Sequence, residues 1–311
     1  MKTEVTIIDV HAHIYPNVEL GLISQGGASV CGYDGTVSDL IKAMKKNNIS
    51  NAVALSFLPT GAMLDAARSK LPGNLSEEDH MRAELNINKT IVERYKRRNL
   101  WTCNLAKENP QIIPFIGIDP IMSPEEIRAE VLEKVEQHGA KGIKLNPGEQ
   151  RFYVNNRRIW PAYEIANELS IPVYSHSGRV EGPKQYSEPK YFEEVLVEFP
   201  KLNLILGHLG FGYWDQMTMI GKKYPQAKSC CTCLLDWQTR EMTSFNVTPL
   251  SNEELVSLIR EFGVDRVMWG SEYPFFNIDK VIGDILNLPL KDEEKRKILG
   301  DNARTICGIK N

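Results

Sequence analysis

The sequence has few of the features that mark membrane, secreted or nucleic-acid-binding proteins. No apolar run approaches the roughly 20 residues of a membrane span, and the first apolar segment reaches Asp9 too early for a signal peptide. The six cysteines lack the spacing of a disulfide-rich module, so we expect reduced thiols in a cytoplasmic protein. The 37 basic and 40 acidic residues give a net charge of −3, which offers no overall attraction for nucleic acid or an anionic membrane.

The 311 residues do contain enough apolar material for one large core, since 42% are hydrophobic and 25% are charged. Short strand-like runs alternate with amphipathic stretches along the whole chain. The predicted strands cover residues 5–10, 51–57, 112–118, 140–145, 171–175, 202–206, 229–235 and 265–269. Because most are nearly continuous in Val, Ile and Leu, we expect them to be buried on both faces, as in a parallel sheet.

Eight strands that alternate with helices predict an α/β protein, a single-domain (β/α)8 TIM barrel over residues 1–311. The alternative is an open doubly wound sheet, but its first strand would normally lead into a glycine-rich turn. This chain has His-Ala-His there. Residues 15–36 and 58–82 are long for ordinary connections, and we predict cap-like loops over the barrel mouth after strands one and two.

Helix boundaries are clearest at three places. Residues 37–47 carry apolar side chains on one helical face. Ser123 and Ser251 each stand three residues before a glutamate, Glu126 and Glu254, and so predict capping boxes.

Polar residues recur at the carboxyl ends of the predicted strands. They are His11 and His13 after strand one, Lys144 after strand four, His176 after strand five, His208 after strand six and Glu272 after strand eight. Equal intervals of 32 residues separate Lys144 from His176 and His176 from His208, and twice that interval separates His208 from Glu272. A regular βα unit of that length would place these side chains around one ring. Imidazoles and a carboxylate that converge on a barrel mouth predict a site for a divalent metal.

The segments IDVHAHIYP, KGIKLNP, PVYSHSG, LILGHLG and WGSEYP, with the C-terminal KILGDNARTICG, resemble the amidohydrolase superfamily. The resemblance is to its amidohydrolase 2 group of metal-dependent barrel hydrolases and related decarboxylases. These motifs run from the first strand to the last helix, so the resemblance covers nearly the whole chain.

The resemblance implies that His11, His13, His176 and the residue after strand eight ligate one metal ion. That last residue is normally aspartate and is Glu272 here, with a side chain one methylene longer. Zn²⁺ is the expected ion and Mn²⁺ the alternative. The metal would activate water, Glu272 would move the proton, and His208 would stabilise the developing oxyanion.

Lys144 has two interpretations in relatives of this kind. In one-metal enzymes it shapes the site, and in two-metal enzymes it is carbamylated and bridges the ions. A free ammonium beside a divalent cation is electrostatically costly, so Lys144 must be modified, neutral or turned away from the ion. We favour a single metal and an unmodified Lys144 directed at the substrate.

Three further residues are candidates for substrate contacts. Arg179 could hold a carboxylate with two hydrogen bonds, and Tyr15 and Tyr273 could line a pocket for a planar or cyclic compound. Arg151 and Arg240 are weaker candidates on the loops after strands four and seven.

The sequence is compatible with three functions. The first is a metal-dependent hydrolase of a small lactone, cyclic amide or related carboxylated compound. The second is a non-oxidative, metal-dependent decarboxylase of a small carboxylic acid, a carbon–carbon lyase whose metal site would be nearly the same. The third is a catalytically impaired, ligand-binding barrel, suggested by Glu272. We expect a small-molecule substrate, no nucleic-acid or membrane partner, and a protein that can pair as a homodimer.

Overall fold

The computed structural model describes residues 6–180, 182–232, 234 and 247–309. Eight parallel strands follow one another around a single sheet in the order of the sequence. They are β1 (Ile7–Ala12), β2 (Ile49–Leu55), β3 (Ile112–Gly117), β4 (Gly142–Leu145), β5 (Val173–Ser175), β6 (Leu204–Leu206), β7 (Lys228–Cys230) and β8 (Val267–Met268). The predicted single-domain TIM barrel is confirmed.

The barrel closes where the first strand meets the end of the last one. Val10 N donates to Trp269 O at 3.2 Å, and Glu272 N donates to His11 O at 2.8 Å. These bonds place the segment after β8 directly beside His11 and His13, so the first and last strands build one wall of the mouth.

Helices cover the outside of the barrel. Those described are α1 (Val18–Ser24), α2 (Val37–Lys46), α3 (Thr60–Arg68), α4 (Glu77–Glu108), α5 (Pro124–Glu136), α6 (Pro147–Gln150), α7 (Trp160–Leu169), α8 (Phe192–Glu198), α9 (Trp214–Lys223), α10 (Asn252–Phe262), α11 (Ile278–Asn287), α12 (Asp292–Arg296) and α13 (Asn302–Ile306). In the described part of the chain, no helix combines the length and the apolar character needed to cross a membrane.

The sequence-based boundaries are good where capping signals exist. Ser123 and Ser251 both form complete capping boxes, with Glu126 and Glu254, at the start of α5 and α10. The two cap-like segments differ from the prediction, since they are partly helical rather than loops. α1 lies within residues 15–36, and α3 with the first turns of α4 lies within residues 58–82.

Two apolar layers surround the strands. The inner layer fills the barrel with the side chains of Ile8, Val10, Val53, Leu55, Ile113, Phe115, Tyr174, Ile205, Cys230 and Met268. The larger outer layer lies between the strands and the helices. Tyr174 and Cys230 are the polar members of the inner layer and lie next to the metal-binding candidates.

A bulge in β1 changes which side chains enter the barrel. Asp9 pairs with Ala52 and Ala12 pairs with Ala54, so three steps on β1 match two on β2. Val10 therefore joins the barrel interior, while the ring of His11 lies beside the inward-facing Tyr174, with centroids 5.1 Å apart. Strict alternation would have sent one of these two neighbours outward.

Gly270 permits the close approach of the chain after β8 to β1. A Cβ atom there would lie 2.6 Å from His11 Cβ and 2.7 Å from Thr232 Oγ1. We expect Gly270→Ala to lower the free energy of unfolding by about 1–3 kcal/mol through overpacking, measured by urea unfolding.

Gly283→Ala is the matched control, because Gly283 lies inside α11 and a Cβ there meets nothing within 4 Å. Alanine is the better helix former by about 1 kcal/mol, so this variant should be more stable than the parent. A Gly270→Ala protein as stable as the parent would contradict the proposed close packing.

Candidate metal centre

His11 in β1 and His13 directly after it point their Nε2 atoms at the same space. These atoms lie 3.0 Å apart. His13 Nδ1 donates to Leu55 O at 3.1 Å, and His11 Nδ1 lies 2.8 Å from the Tyr174 hydroxyl. A proton on each Nδ1 leaves a lone pair on each Nε2, so both rings are oriented as metal ligands.

Glu272 brings both carboxylate oxygens to the same space. Its Oε2 lies 3.2 Å from His11 Nε2 and its Oε1 lies 3.4 Å from His13 Nε2. The backbone at Glu272 is left-handed, with φ at 58°, a conformation uncommon for a residue with a side chain. Burial by itself raises the pKa of Glu272, but the nearby His208, His13 and Lys144 outweigh it and bring the pKa below its usual range.

His208 completes the group from the turn after β6. Its Nδ1 lies 3.9 Å from Glu272 Oε2 and 3.3 Å from Thr232 O. One ligand atom from each of His11, His208 and Glu272 falls within 4.8 Å of the others. His208 therefore lies among the candidate ligands, whereas the sequence predicted for it a role beside the metal.

His176 lies beside His208 rather than inside this tight group. The two ring centroids are 4.8 Å apart. His176 Nε2 is buried and makes no hydrogen bond with any residue that the structure describes. Burial lowers the pKa of His11, His176 and His208, which favours the neutral form in which an imidazole binds a metal ion.

The donor set fits a divalent cation. Two imidazole lone pairs and two carboxylate oxygens face one another in a buried space, and their mutual repulsion requires a positive charge between them. The unbonded Nε2 of His176 points to the same conclusion. His11, His13, Glu272 and His208 would hold the ion, with His176 at its edge.

Lys144 is almost fully buried, with 1% of its surface exposed. Its Nζ lies 4.6 Å from the centre of the Tyr174 ring. Burial lowers the pKa of Lys144 to about 8, against the opposing effect of Glu272. The ammonium therefore lies on the aromatic face beneath the metal centre.

The predicted substrate contacts divide into two groups. Arg179 and Tyr15 line a cavity of about 750 Å³ together with His13, His176 and Glu272. Tyr273 is buried and donates to Thr36 O at 2.8 Å, so it anchors the chain and does not line this cavity.

The two weaker arginine candidates are also placed differently. Arg151 forms an ion pair with Asp65 at 2.7 Å on the rim of the cavity. Arg240 lies outside the described residues.

Asp9 is a site residue that the sequence analysis did not select. Its buried carboxylate accepts hydrogen bonds from His11 N at 2.9 Å, Ser271 N at 2.8 Å and Ser271 Oγ at 2.5 Å. Burial raises its pKa to about 6, although these hydrogen bonds act in the opposite direction. The sequence signal that could have identified Asp9 is its position as a charged residue inside the apolar run IIDVHA.

The comparisons with known proteins agree with this fold and identify the family. The family model described as amidohydrolase matches residues 8–309, and the chain belongs to this family. The γ-resorcylate decarboxylase of Rhizobium radiobacter is 29% identical over 255 residues, covering 70% of this chain and 77% of the relative. The corresponding enzyme of Polaromonas sp. is 22% identical over 251 residues, covering 69% of this chain and 76% of the relative.

Solved structures show the same barrel. The dihydroxybenzoic acid decarboxylase of Polaromonas sp., solved with manganese and 2-nitroresorcinol, aligns with a TM-score of 0.69 at 17% identity over 98% of each chain. The 5-carboxyvanillate decarboxylase of Sphingomonas paucimobilis aligns with a TM-score of 0.66 at 13% identity, over 99% of this chain and 100% of that one.

These findings correct the first functional expectation. A hydrolase was the leading interpretation of the sequence, and it is wrong, because the curated relatives are decarboxylases. Water activation and proton transfer to a hydrolytic leaving group were parts of that interpretation and are set aside with it.

Loss of either His11 or His13 should empty the metal centre. We expect His11→Ala and His13→Ala to carry less than about a tenth of the metal of the parent, because each removes one of only a few ligands. Elemental analysis of protein purified without chelator measures this. His138→Ala is the control, since His138 pairs with Glu133 at 3.3 Å and does not line the site. Unchanged metal content in the His11 and His13 variants would contradict the assignment.

The Tyr174 hydroxyl should support metal binding through His11. Tyr174→Phe removes the group 2.8 Å from His11 Nδ1, and we expect metal affinity to fall about 10- to 100-fold, measured by competition with a chelator. Tyr163→Phe is the control, because it also removes a buried hydroxyl, one that donates to Val154 O at 2.8 Å. Equal effects of both variants would show that Tyr174 acts on stability alone.

Proposed function

We propose that the protein is a metal-dependent, non-oxidative decarboxylase of a small hydroxylated aromatic acid. The curated decarboxylases that it resembles support this reaction class. Manganese, the ion in the Polaromonas structure, is the divalent metal that we propose for the site.

The observation that carries the proposal is the position of Arg179. Its side chain lines the same cavity as His13, His176 and Glu272. Its Nε is buried and makes no hydrogen bond with the described residues, and its Cζ lies 4.9 Å from the centre of the Tyr213 ring. A fixed guanidinium beside the metal ligands is the group that a carboxylate substrate needs for orientation.

Gly212 helps to hold Arg179 in place. A Cβ atom at Gly212 would lie 2.9 Å from Arg179 Cδ, and the backbone there has φ at 80°. The arginine side chain therefore passes over glycine on one side and contacts Tyr213 on the other.

The reaction breaks the bond between the ring carbon and the carboxylate and releases CO₂. A proton must then be delivered to the ring carbon, and no oxidant or reductant is needed. The metal, when bound, polarises the substrate oxygens and stabilises their negative charge.

Glu272 is the proposed proton carrier. Because its pKa lies below the usual range, it rests ionised and can accept the proton of a hydroxyl group next to the carboxylate. It then returns that proton to the ring carbon as CO₂ leaves, and the phenolate left behind takes up a proton from solvent to give the neutral phenol, so atoms and charge balance.

Lys144 has a supporting role in this scheme. Its positive charge is one of the influences that keep Glu272 ionised. The contact of Nζ with the Tyr174 ring holds that charge below the reacting groups.

The manganese-loaded protein should convert γ-resorcylate, 2,6-dihydroxybenzoate, to resorcinol and CO₂. Arg179→Gln should raise KM about 10- to 100-fold, because charge-assisted hydrogen bonds worth about 1.5–3 kcal/mol are lost. The conversion of γ-resorcylate and its KM are both measured by chromatography of resorcinol and detection of CO₂.

Arg128→Gln is the matched control, since Arg128 is an exposed arginine that pairs with Glu168 at 3.0 Å away from the cavity. Its KM should equal that of the parent. Absence of CO₂ from every hydroxybenzoate tested with fully metal-loaded protein would overturn the proposed function.

A further inference from the structure

The cavity at the metal centre has a second arm, which we call the arginine arm. It has a volume of about 870 Å³. Both arms are lined by His13, Tyr15, Phe57, Glu149 and Phe275. Each arm alone lies within the volume range of sites for drug-sized ligands, so the whole space exceeds what a single-ring acid fills.

One wall of the arginine arm is apolar. Its apolar lining includes Leu20 and Ile23 of α1 together with Leu58 and Met63. Leu20 is 43% exposed and Ile23 is 61% exposed, although both belong to a helix over the barrel mouth. An apolar or aromatic extension of a ligand would cover surface that is otherwise open to water.

The arm is also lined by three arginines of one helix face. Arg94, Arg97 and Arg98 of α4 line the arm, and their spacing places them side by side. Arg94 and Arg97 form no ion pair with any described residue, whereas the adjacent Lys96 lies 3.5 Å from Glu93 and 3.6 Å from Glu126.

Arg98 is held in a fixed position. Its Nη2 donates to Ile14 O, and its Cζ lies 4.5 Å from the centre of the Trp101 ring. Its Nε is buried without a hydrogen-bond partner among the described residues. Burial lowers the pKa of Arg98 to about 10, which reflects a guanidinium placed away from water with no carboxylate beside it.

The charge of the arm remains positive when its acidic residue is counted. Glu149 is exposed and lies on the wall that both arms share. Arg94 and Arg97 are exposed, so water screens their repulsion, but three guanidinium groups against one carboxylate leave the arm positive and favour the entry of an anion.

We propose that the arginine arm binds a second carboxylate of the substrate, carried at the end of an apolar or aromatic extension from the reacting ring. The substrate class is then a hydroxylated aromatic diacid, of which one carboxylate leaves and the other stays bound to Arg94 and Arg97. For the end of the substrate that loses CO₂, this proposal rests on the proposed function. For the other end, it rests on the arginines of α4.

Binding of the second carboxylate can be tested separately from the reaction, with ligands that cannot lose CO₂. The probes are nitro-substituted resorcinols with a carboxyalkyl chain of graded length, and each is compared with its methyl ester. Calorimetric titration of the manganese-loaded full-length protein should show one chain length at which the acid binds at least about tenfold more tightly than the ester. The preference should fall to less than about twofold in Arg94→Gln/Arg97→Gln.

Arg82→Gln is the matched control, because Arg82 is an exposed arginine of α4 that pairs with Glu78 and does not line the arm. It should keep the preference of the parent, and Arg94→Lys/Arg97→Lys should keep most of it. An equal preference in the parent and in the double glutamine variant would overturn the proposal. So would a change of oligomeric state in that variant with no change in affinity, which would assign the arginines to contacts between copies of the chain.

Failure of the proposed function has a different signature. An arginine-dependent preference for the acid, with no CO₂ from any hydroxybenzoate, would retain the anion site and remove the decarboxylase. Release of CO₂ from γ-resorcylate, with no preference for the acid at any chain length, would retain the decarboxylase and remove the anion site.

Discussion

The carboxylate of Asp9 holds together the two ends of the barrel on which the metal centre depends. It accepts one hydrogen bond from the backbone of His11 and two from Ser271. Because Glu272 directly follows Ser271, this single buried group fixes a β1 ligand relative to the carboxylate ligand. The distance of 3.2 Å between His11 Nε2 and Glu272 Oε2 results from that connection.

Other residues extend this support toward the barrel interior. The Tyr174 hydroxyl lies 2.8 Å from His11 Nδ1 and 2.7 Å from Cys230 Sγ, and that sulfur also accepts from His208 N at 3.3 Å. A continuous set of hydrogen bonds therefore joins ligands from β1 and from the turn after β6. The positions of the ligands are set by buried groups rather than by exposed loops, as expected for a preorganised site.

Much of the architecture follows from the sequence alone, because each strand of a parallel barrel ends at the same mouth. The regular intervals among Lys144, His176, His208 and Glu272 were enough to predict that these residues lie at that mouth. The role of Asp9 was not foreseeable in the same way, since it arises from contact with Ser271, 262 residues further along the chain. The short helices α1 and α3 were missed because seven and nine residues leave little periodicity to read.

The reaction was harder to infer than the site. Histidine and carboxylate ligands suit hydrolysis and decarboxylation alike, so the motifs that identify the family do not separate its chemistries. The groups that separate them lie in the cavity walls. Arg179 was a candidate carboxylate contact from the sequence, but its contacts with Gly212 and Tyr213, which hold its side chain in the cavity wall, become visible only in the fold.

The bulge in β1 has a consequence for any attempt to transplant this site. A regular strand directs neighbouring residues to opposite faces. Two successive residues of such a strand could not both point into the barrel, one as an apolar filler and the other as a metal ligand. The extra residue between Asp9 and Ala12 lets Val10 close the interior while His11 begins the coordinating group. A His-Ala-His sequence placed on a scaffold strand without a bulge would keep the same residues but lose the apolar side chain that closes the barrel beneath them. The bulge is therefore as much a part of the motif as its histidines are.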